Sequence, residues 1–493
     1  MWDLLAGPVF LRIISVVALL CVARLLLWKK SPSKPSLRSV AILVLGDIGR
    51  SPRMMYHAES FAKLHFETFL IGYKGSRPVP SLLSLPYIRF LYLSQPPLAL
   101  RKFPFIISAP IKIAQQITSI LRVLLWRIPH PPEFILVQNP PSIPTLALVW
   151  LVGTLRGSKV IIDWHNLGYS ILALNLGSNH IFVKLARIFE AKFGQSAHAH
   201  LFVTRAMHDF LVKEWDLQGL KAILHDRPPA HFHPANASEI HELFLRISPF
   251  LPTTFLPVYD PPMSTPLTQV SSHALPRLRP DRPAVLVSST SWTEDEDFSI
   301  LLDGLSEYEH RARASCGALP RVLVLVTGKG PLRDAYMRKA QALQGGDHWQ
   351  WVRVISMWLE PKDYPVLLGS ADLGISLHSS SSALDLPMKI VDMFGCGVPV
   401  CALDFACLSE LVIDGKNGVI FQNAAGLADQ LENLLKGFPN AARLESLRAS
   451  FRRTVEPRNV SNSEDEGWVW NSWDDNWTRV VRPVVLPNVH VAG

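Results

Sequence analysis

His378–Val400 reads HSSSSALDLPMKIVDMFGCGVPV, and this stretch decides the fold class of the chain. Its serine run predicts a polar loop, and Asp385 and Pro387 predict the N-cap and first turn of a helix. Asp392 lies two turns beyond Asp385, so both carboxylates are expected on one side of that helix. Gly395-Cys396-Gly397 predicts the helix end, and a short apolar strand follows.

A helix N-terminus that follows small hydroxyl residues is a ready site for an anion such as a diphosphate. Ser379 and Ser380 precede the predicted helix, and Lys389 lies within it. The stretch therefore suggests a nucleotide-sugar donor site. A capped helix that serves packing alone explains the same residues, and taken by itself the stretch leaves both interpretations open.

Short apolar runs separated by loops and helical patterns recur along the chain, which predicts a doubly wound α/β fold. The first run, Val40–Leu45, ends in the glycine loop Gly46–Gly49. Further strands of the first half are predicted at Phe66–Gly72, Ile88–Leu93, Phe134–Gln138, Lys159–Asp163 and His200–Val203. The pattern restarts in the second half, with strands predicted at Ala284–Ser288, Arg321–Thr327, Val352–Ser356, Leu373–Leu377 and Val398–Ala402.

The chain divides by composition into an anchor and linker and four further segments. The predicted segments are 1–35 (anchor and linker), 36–235 (first Rossmann-like domain), 236–282 (proline-rich interdomain segment), 283–440 (second Rossmann-like domain) and 441–493 (C-terminal segment). A short helix is expected near Ser238–Arg246. Trp470, Trp473 and Trp477 have helical spacing, which predicts a helix that packs back on the first domain.

Residues 4–28 read LLAGPVFLRIISVVALLCVARLLLW, which is long enough for one membrane-spanning helix. Arg12 and Arg24 lie near enough to its ends to snorkel. The apolar run is not followed by a small-residue cleavage site, so a retained anchor is predicted instead of a cleaved signal peptide. The basic residues from Lys29 to Arg38 place the body of the protein in the cytosol.

The net charge of +8 is unevenly distributed. Between Thr68 and Ile162, ten basic residues accompany one acid, Glu133. Within this interval, residues 98–127 mix aliphatic side chains with Arg and Lys. Such a surface fits an anionic membrane better than nucleic acid, because base-reading aromatic patterns are absent, although a buried helix with basic ends is an alternative. The five cysteines lack CxxC spacing and fit a reducing cytosol.

Two glycine loops follow predicted strands, at the sheet edge where doubly wound folds bind ligands. Gly46–Gly49 (GDIG) lacks the GxGxxG spacing of a dinucleotide site, and Thr327–Pro331 (TGKGP) is not a Walker A loop. In the second loop, Gly328 lets the backbone approach a ligand and Lys329 can neutralise a diphosphate. A plain strand-to-helix turn is the alternative.

Asp163-Trp164-His165-Asn166 ends another predicted strand. His165 can serve there as a base or a sugar ligand, with Asp163 to orient it, or as a structural histidine. Ser288–Phe298 (SSTSWTEDEDF) begins the second half with hydroxyls followed by four acids. These acids, Asp295 and Asp297 among them, are interpreted as capping the next helix and not as a metal-binding pair.

Taken in order, these motifs resemble one family. GDIGRSPRM, DWHN, HDRPP, SSTSWTEDEDF, TGKGP, the 378–400 stretch and Glu410…Asn417-Gly418 are similar to those of the chitobiosyldiphosphodolichol beta-mannosyltransferases, which are ER-membrane enzymes of the GT-B fold. The resemblance extends from about residue 40 to about residue 435. It implies two Rossmann-like domains that face a cleft, with the acceptor bound by the membrane-facing first domain and the donor by the second.

The resemblance implies mannose transfer from GDP-mannose to GlcNAc2-diphosphodolichol, which forms the first β-1,4-mannose of the lipid-linked oligosaccharide. The reaction inverts the anomeric centre, so a base must take the acceptor proton while GDP leaves. The fold stabilises the diphosphate without a required metal or other cofactor. The resemblance further implies a single-pass protein of the endoplasmic reticulum membrane with its catalytic body in the cytosol, other mannosyltransferases of the pathway as partners, and no nucleic acid.

Site residues are carried over position by position. His165 is the favoured catalytic base, with Asp47 and His57 as alternatives. The donor-side candidates are Gly328, Lys329, Ser379, Ser380, Lys389, Asp392, Glu410 and Arg227. Retaining enzymes of this fold carry a Glu-x7-Glu pair, and Asp392 takes its second position as a ribose ligand. The first position falls on Leu384, one residue before Asp385, and this mismatch agrees with a different anomeric outcome.

Two other functions fit the same motifs. One is a UDP-sugar-dependent transferase that acts on another polyprenyl-diphosphate acceptor. The other is an inert homologue that scaffolds partners at the endoplasmic reticulum, although the intact Lys329, Lys389 and Asp392 favour an enzyme.

Overall fold

A computed structural model describes most of the chain between Arg38 and Leu486. The described residues are 38–95, 105–252, 256–271, 274–293, 296–315, 317–345, 348–378, 384–452 and 472–486. The predicted anchor at 4–28, Ser379, Ser380, Asp295 and Trp470 lie outside these ranges. Within them, none of the helices combines the length and the apolar character needed to cross a bilayer.

The described residues form two large sheets and one small one. The strands are β1 (Ser39–Asp47), β2 (Glu67–Tyr73), β3 (Ile88–Tyr92), β4 (Phe134–Asn139), β5 (Lys159–Trp164), β6 (Ser196–Phe202), β7 (Gln218–Ile223), β8 (Thr268–Gln269), β9 (Arg277–Leu278), β10 (Ala284–Ser289), β11 (Val322–Thr327), β12 (Val352–Met357), β13 (Leu373–Ser376), β14 (Val400–Leu403) and β15 (Gly418–Phe421). All the predicted strands are present, within about four residues at their ends.

The strand orders are those of doubly wound folds. The first sheet has the order β3-β2-β1-β4-β5-β6-β7, and the second has the order β12-β11-β10-β13-β14-β15. Strand β1 pairs in parallel with β2 and β4, and every pair in the second sheet is parallel. In both sheets the first strand in sequence lies inside the sheet, which creates the reversal of strand order at which such folds bind ligands.

Helices connect the strands, as parallel pairing requires. They are α1 (Pro52–Lys63), α2 (Pro80–Ser84), α3 (Phe105–Arg122), α4 (Thr145–Arg156), α5 (Gly168–Leu176), α6 (Ile181–Gly194), α7 (Arg205–Trp215), α8 (Ala237–Ile247), α9 (Phe298–Ala314), α10 (Arg333–Gln344), α11 (Asp363–Ser370), α12 (Met388–Gly395), α13 (Ala424–Leu435), α14 (Ala442–Arg452), α15 (Trp473–Val480) and α16 (Arg482–Val485). Helix α8 confirms the predicted helix near Ser238–Arg246, and Asn236 begins it with a capping box.

The helix in the 378–400 stretch begins later than predicted. It starts at Met388 with Pro387 as its N-cap, and no side chain caps it. The prediction that Asp385 is the N-cap was therefore wrong. So was the prediction that the carboxylates of Asp385 and Asp392 lie on one side of this helix. Asp385 lies in the preceding loop, where its backbone oxygen accepts a hydrogen bond from the Cys407 thiol. The predicted glycine at the helix end is present, since Gly397 adopts φ +68° just after α12.

By its internal contacts the chain divides into two compact units. Unit 1 contains the described residues up to Ile162 together with Phe189–His198. Unit 2 contains Asp163–Ile188 and the described residues from Ala199 onward. The acceptor and donor domains inferred above are functional assignments, and they stay predictions.

The second sheet is buried on both faces, which explains why its strands are almost wholly apolar. Residues of alternating parity along β10 and β11 pack into two separate cores. Leu286 and Val324 face helices α9 and α13, whereas Val285 and Leu323 face α8 and α12. Helix α12 is thus fixed against the sheet by its buried Ile390, Val391, Met393 and Phe394.

Helix α15 lies in unit 2 and contains two of the predicted tryptophans. Trp473 and Trp477 are buried. The Trp473 backbone N–H donates to the Pro228 carbonyl at 3.4 Å, and the Asn476 amide donates to the His225 carbonyl at 2.8 Å. The C-terminal helix therefore holds the segment that contains the HDRPP motif.

A buried charge cluster fixes the end of the second sheet opposite to the loops that follow its strands. Asp372, 2% exposed, accepts hydrogen bonds from Arg282 at 2.7 Å and 2.9 Å and from Arg448 at 2.8 Å. Burial disfavours the charge of Asp372, but the two arginines and the Val285 N–H outweigh it, so the pKa of Asp372 is lowered.

Substitution of Asp372 should be costly, because the buried Arg282 would lose its counter-charge and the half-buried Arg448 would keep only Glu445. Asp372→Asn is expected to lower the free energy of unfolding by about 3–5 kcal/mol. Folding lowers the pKa of Asp372, so the contribution of this residue to stability is fully present above its unfolded-state pKa of about 4. The contribution disappears as the pH falls through the pKa that Asp372 has in the folded protein. Thermal unfolding as a function of pH measures both effects.

Asp281→Asn is the matched control, because the Asp281 side chain is 58% exposed and pairs with Arg279 at 2.8 Å. It should cost at most about 1 kcal/mol. An equal loss in the two variants would contradict the role assigned to the buried cluster.

Candidate functional site

The candidate site lies in unit 2, where the loops after β10, β11, β12 and β13 lie at the carboxyl edge of the second sheet. Ligands bind at this edge in doubly wound folds. The SSTSWTEDEDF motif forms the end of β10 and the loop after it, and TGKGP does the same for β11.

Two glycines allow the first two loops to lie against each other. Gly328 has φ +136°, and a Cβ added there would overlap the carbonyl oxygen of Thr290. A Cβ at Gly330 would overlap the carbonyl oxygen of Ser291. The Leu332 N–H also donates to the Trp292 carbonyl at 3.1 Å. The predicted close approach by Gly328 is therefore an approach to protein backbone.

One buried carboxylate organises this edge. Glu296 is 3% exposed, and its Oε1 accepts a hydrogen bond from Lys389 Nζ at 2.6 Å. Its Oε2 accepts from the Thr290 hydroxyl and from the Ser291 N–H, the latter at 3.2 Å. Glu296 also forms a backbone bridge with His378. The loop after β10, the start of the 378–400 stretch and helix α12 are thus held by one residue.

The four acids of SSTSWTEDEDF do not share one role. Asp297 is the N-cap of α9 and accepts from the Ser299 N–H at 2.9 Å, which confirms its interpretation as a capping residue. Hydrogen bonds to Ser299 lower the pKa of Asp297 more than its partial burial raises it. Glu296 is instead the ion-pair partner of Lys389, a role that the run of acids did not reveal.

Trp292 lies between these two acids and the sheet in a strained backbone conformation. Its φ is +51°, in the left-handed region that bulky residues avoid. Its ring is 1% exposed and stacks on Phe298 with a centroid distance of 4.4 Å. Such outliers persist where the surrounding packing fixes them, and they cluster at functional sites.

Asp392 lies in the middle of α12, beside Asp226. Burial raises the pKa of Asp392 well above its usual value, and the charge of Asp226 raises it further. Tyr364 and Cys396 are close enough for their own pKa values to be raised in part by Asp392. This carboxyl is therefore partly desolvated, and burial together with the charge of Asp226 favours its neutral form.

The HDRPP motif, residues 225–229, packs against α12. A Cβ on Gly395 would overlap Pro228, so the glycine at the end of α12 permits this approach. Arg227 is buried, and burial lowers its pKa to about 10. Its guanidinium donates to the Asp226 carbonyl at 2.9 Å. The predicted Arg227 thus lies in the segment that also brings Asp226 to Asp392.

Glu410 lies at the N-terminus of helix α7. Its carboxylate accepts from the Arg205 and Ala206 N–H groups at 2.6 Å and 2.8 Å, and from His225 at 3.1 Å. Burial acts against its charge, but these hydrogen bonds lower its pKa overall. Glu410 therefore connects α7 to the HDRPP segment.

His165 and Asp163 form a dyad at the end of β5. Asp163 is fully buried, and its carboxylate lies 2.8 Å from His165 Nε2. A buried carboxylate that accepts from one ring nitrogen fixes the ring and leaves the other nitrogen as the proton acceptor. Asp163 orients His165 as the sequence suggested, and His165 is partly exposed with 22% of its side chain accessible.

The dyad is connected to the 378–400 stretch through neighbouring backbone. Val203 donates its N–H to the Trp164 carbonyl at 3.3 Å, and the Thr204 hydroxyl donates to the Leu384 carbonyl at 2.6 Å. His165, Asp392, Lys389 and Glu410 therefore belong to one compact unit.

Asp47, the alternative base, lies in unit 1. Its carboxylate accepts from the Gly49 N–H at 3.0 Å and the Ser76 N–H at 2.8 Å. Partial burial works against its charge, but these hydrogen bonds and Arg50 outweigh it, so its pKa is lowered. A carboxylate held in this way is a weak base. His57 is completely buried in α1, which removes it from contact with an acceptor.

Lys329 lies beside an exposed aromatic ring. Its Nζ is 4.1 Å from the centroid of the Trp358 ring, a cation–π distance. Trp358 follows β12 and is 63% exposed. Trp358 was not among the predicted site residues, although a tryptophan two residues after a predicted strand was an available signal.

Among the described residues, no group of three or more His, Cys, Asp or Glu side chains is placed to hold a metal ion.

The sequence pattern of the family "Glycosyl transferases group 1" matches residues 285–437. The chitobiosyldiphosphodolichol beta-mannosyltransferase of Mus musculus is 42% identical over 488 residues, which cover 96% of this chain and 95% of the mouse protein. The enzyme of that name from Yarrowia lipolytica is 37% identical, with 93% and 90% covered. An Arabidopsis thaliana protein named UDP-glycosyltransferase TURAN is 43% identical, with 84% and 92% covered.

Solved structures share the fold at low sequence identity. Anabaena HepE, in complex with UDP and glucose, superposes with a TM-score of 0.53 at 14% identity and covers 84% of this chain and 93% of its own. WaaG, a glycosyltransferase involved in lipopolysaccharide biosynthesis, gives a TM-score of 0.54 at 12% identity, with 84% and 95% covered. These likenesses confirm the predicted GT-B fold with its parallel sheets. From the identity and coverage of the curated relatives, the chain belongs to the chitobiosyldiphosphodolichol beta-mannosyltransferase family.

Proposed function

We propose that this protein transfers mannose from GDP-mannose to GlcNAc2-diphosphodolichol and forms a β-1,4 linkage with inversion. Membership of the family over almost the whole chain is the observation that carries this proposal. The reaction is a single displacement, in which the acceptor hydroxyl attacks the anomeric carbon and GDP leaves from the opposite face.

On the acceptor side, His165 is the proposed base. Asp163 holds its Nε2, so Nδ1 takes the proton of the acceptor hydroxyl as the new bond forms. Asp163 then stabilises the imidazolium that results. Asp47 is kept as the alternative base.

On the donor side, the proposed site is the edge organised by Glu296. Lys389 and the N-terminus of α12 stabilise the negative charge that develops on the leaving diphosphate. Ser379 and Ser380 are proposed to bind the same phosphates, and Gly328 is proposed to shape the loop that carries Lys329. Trp358 offers an aromatic face for the guanine ring.

Asp392 is the proposed ligand of the ribose hydroxyls. A hydroxyl donor would compensate the desolvation that raises the pKa of its carboxyl. Arg227 and Glu410 are proposed to support the donor site through the HDRPP segment. Arg227 belongs to this segment, and Glu410 accepts a hydrogen bond from His225 within it.

The proposed location is the cytosolic face of the endoplasmic reticulum membrane, with residues 4–28 as a single-pass anchor. Residues 36–235 are proposed to bind the acceptor and residues 283–440 the donor. Other mannosyltransferases of the same pathway are proposed partners.

The second candidate function is transfer from a UDP-sugar to another polyprenyl-diphosphate acceptor. The name of the Arabidopsis relative, UDP-glycosyltransferase TURAN, favours the UDP-sugar donor. Purified full-length protein with GlcNAc2-diphospho-phytanyl acceptor separates the two functions. GDP-mannose should yield a product that a β-mannosidase cleaves, whereas UDP-sugars should yield none. Transfer from a UDP-sugar, to this acceptor or to another polyprenyl-diphosphate acceptor, without transfer from GDP-mannose would establish the second function. Absence of both transfer and GDP binding would indicate an inert homologue.

His165→Ala should lower kcat by about 10²–10⁴-fold, because the reaction loses its base. GDP binding, measured by calorimetry, should stay near that of the unchanged protein. Asp163→Asn should reduce kcat in the same direction, because it disturbs the tautomer. Retained turnover in His165→Ala would exclude His165, and a larger loss in Asp47→Asn would transfer the role to Asp47.

Glu296→Gln should weaken GDP-mannose binding, because Lys389 loses the charge-assisted bond that positions it. A loss of about 1.5–3 kcal/mol corresponds to roughly 10–150-fold in kcat/KM. Asp297→Asn is the matched control one residue away. Because Asn caps a helix about as well as Asp, it should change stability by less than about 1 kcal/mol and leave kcat/KM unchanged. Equal kinetic effects in both variants would contradict the positioning role of Glu296.

A further inference from the structure

Helices α5 and α6 carry an apolar surface that the proposed function has not used. It consists of Ile171, Leu174, Ile181, Phe182, Leu185 and Ile188, all of them exposed, and is called the hairpin surface below. Leu174 is 65% exposed, Ile188 64% and Ile181 60%. Exposed apolar side chains grouped on two successive helices mark a site of interaction.

The two helices have the reverse of the usual surface pattern. Helix α5 has no buried residue, although most of its side chains are aliphatic. Helix α6 buries Val183, Ala186 and Glu190, whereas its apolar side chains Ile181, Phe182, Leu185 and Ile188 are exposed. Surface helices of water-exposed domains place apolar side chains inward and polar ones outward. The hairpin surface therefore requires an apolar environment on its outer side.

The charges around the hairpin surface are basic. Lys184 and Arg187 are exposed on the same helix as Leu185 and Ile188. Glu190, the sole acid between Gly168 and Gly194, is fully buried and accepts from the Asn139 amide at 2.6 Å. Arg187 pairs with Glu214 at 3.2 Å and lies 5.8 Å from the Tyr169 ring, which connects α5, α6 and α7.

We propose that the hairpin surface is a membrane-docking surface that inserts among lipid acyl chains while Lys184 meets anionic headgroups. Exposed apolar side chains bordered by lysine and arginine are the pattern of helices that lie in a membrane interface. The helices are 9 and 14 residues long, so they lie on a bilayer and do not cross it.

The inference deepens the proposed function and rests on it in taking the acceptor to be a membrane lipid. Helix α5 begins three residues after His165. Docking of α5 would bring the dyad to the headgroup region, where a lipid-borne diphosphate sugar is presented.

The test places an environment-sensitive fluorescent amino acid at position 174 of the full-length protein in vesicles of phosphatidylcholine and phosphatidylserine. We expect a blue shift and quenching by lipids brominated on their acyl chains. The same probe at position 258 is the control, because Val258 is 95% exposed outside the hairpin surface. Equal quenching at both positions, or none at 174, would overturn the proposal, as would protection at 174 that requires a second copy of the chain.

A paired set of variants supplies the functional readout. Leu174→Gln/Leu185→Gln/Ile188→Gln leaves the buried face of α6 unchanged, and we expect it to raise KM for a vesicle-embedded long-chain acceptor. The comparison variant, Phe250→Gln/Val258→Gln/Leu275→Gln, removes apolar side chains elsewhere that are more exposed, and it should keep this KM. Loss of transfer by the unchanged protein would refute the proposed function alone, because lipid quenching at position 174 needs no turnover.

Discussion

A single buried carboxylate holds together the edge of the second sheet. Glu296 accepts from an ammonium, a hydroxyl and a backbone N–H that come from two different segments of the chain. Burial of a carboxylate is costly unless such partners are present, so the three contacts are needed together. The position of Lys389, and with it the charge at the start of α12, depends on this arrangement.

A second constraint acts on the other side of α12. Pro228 lies where a side chain on Gly395 would be, and Asp226 of the same segment lies beside Asp392. The HDRPP segment is held in turn by Glu410 and by the C-terminal helix through Asn476. Residues that are far apart in sequence thereby share one small region, and the His165–Asp163 dyad belongs to the same compact unit.

The strands were predictable from the sequence because parallel strands buried on both faces are continuous apolar runs. Strand β7 was missed because all but two of its residues are exposed. Asp385 was wrongly placed at the helix start because a local signal for capping cannot show that Pro387 occupies that position. The role of Glu296 was hidden for another reason: in a run of four acids, only tertiary contact with Lys389 distinguishes one from its neighbours.

The two glycines that bring the loops after β10 and β11 together have a consequence for redesign. Because each glycine faces a backbone carbonyl of the other loop, neither loop has a shape of its own that could be transplanted. To change the nucleotide preference by loop grafting, residues 288–298 and 327–331 would have to be transferred together. A lysine at position 389 would also have to be present to pair with Glu296 of the transferred loop. Evolution faces the same restriction, so these distant segments should change together or not at all.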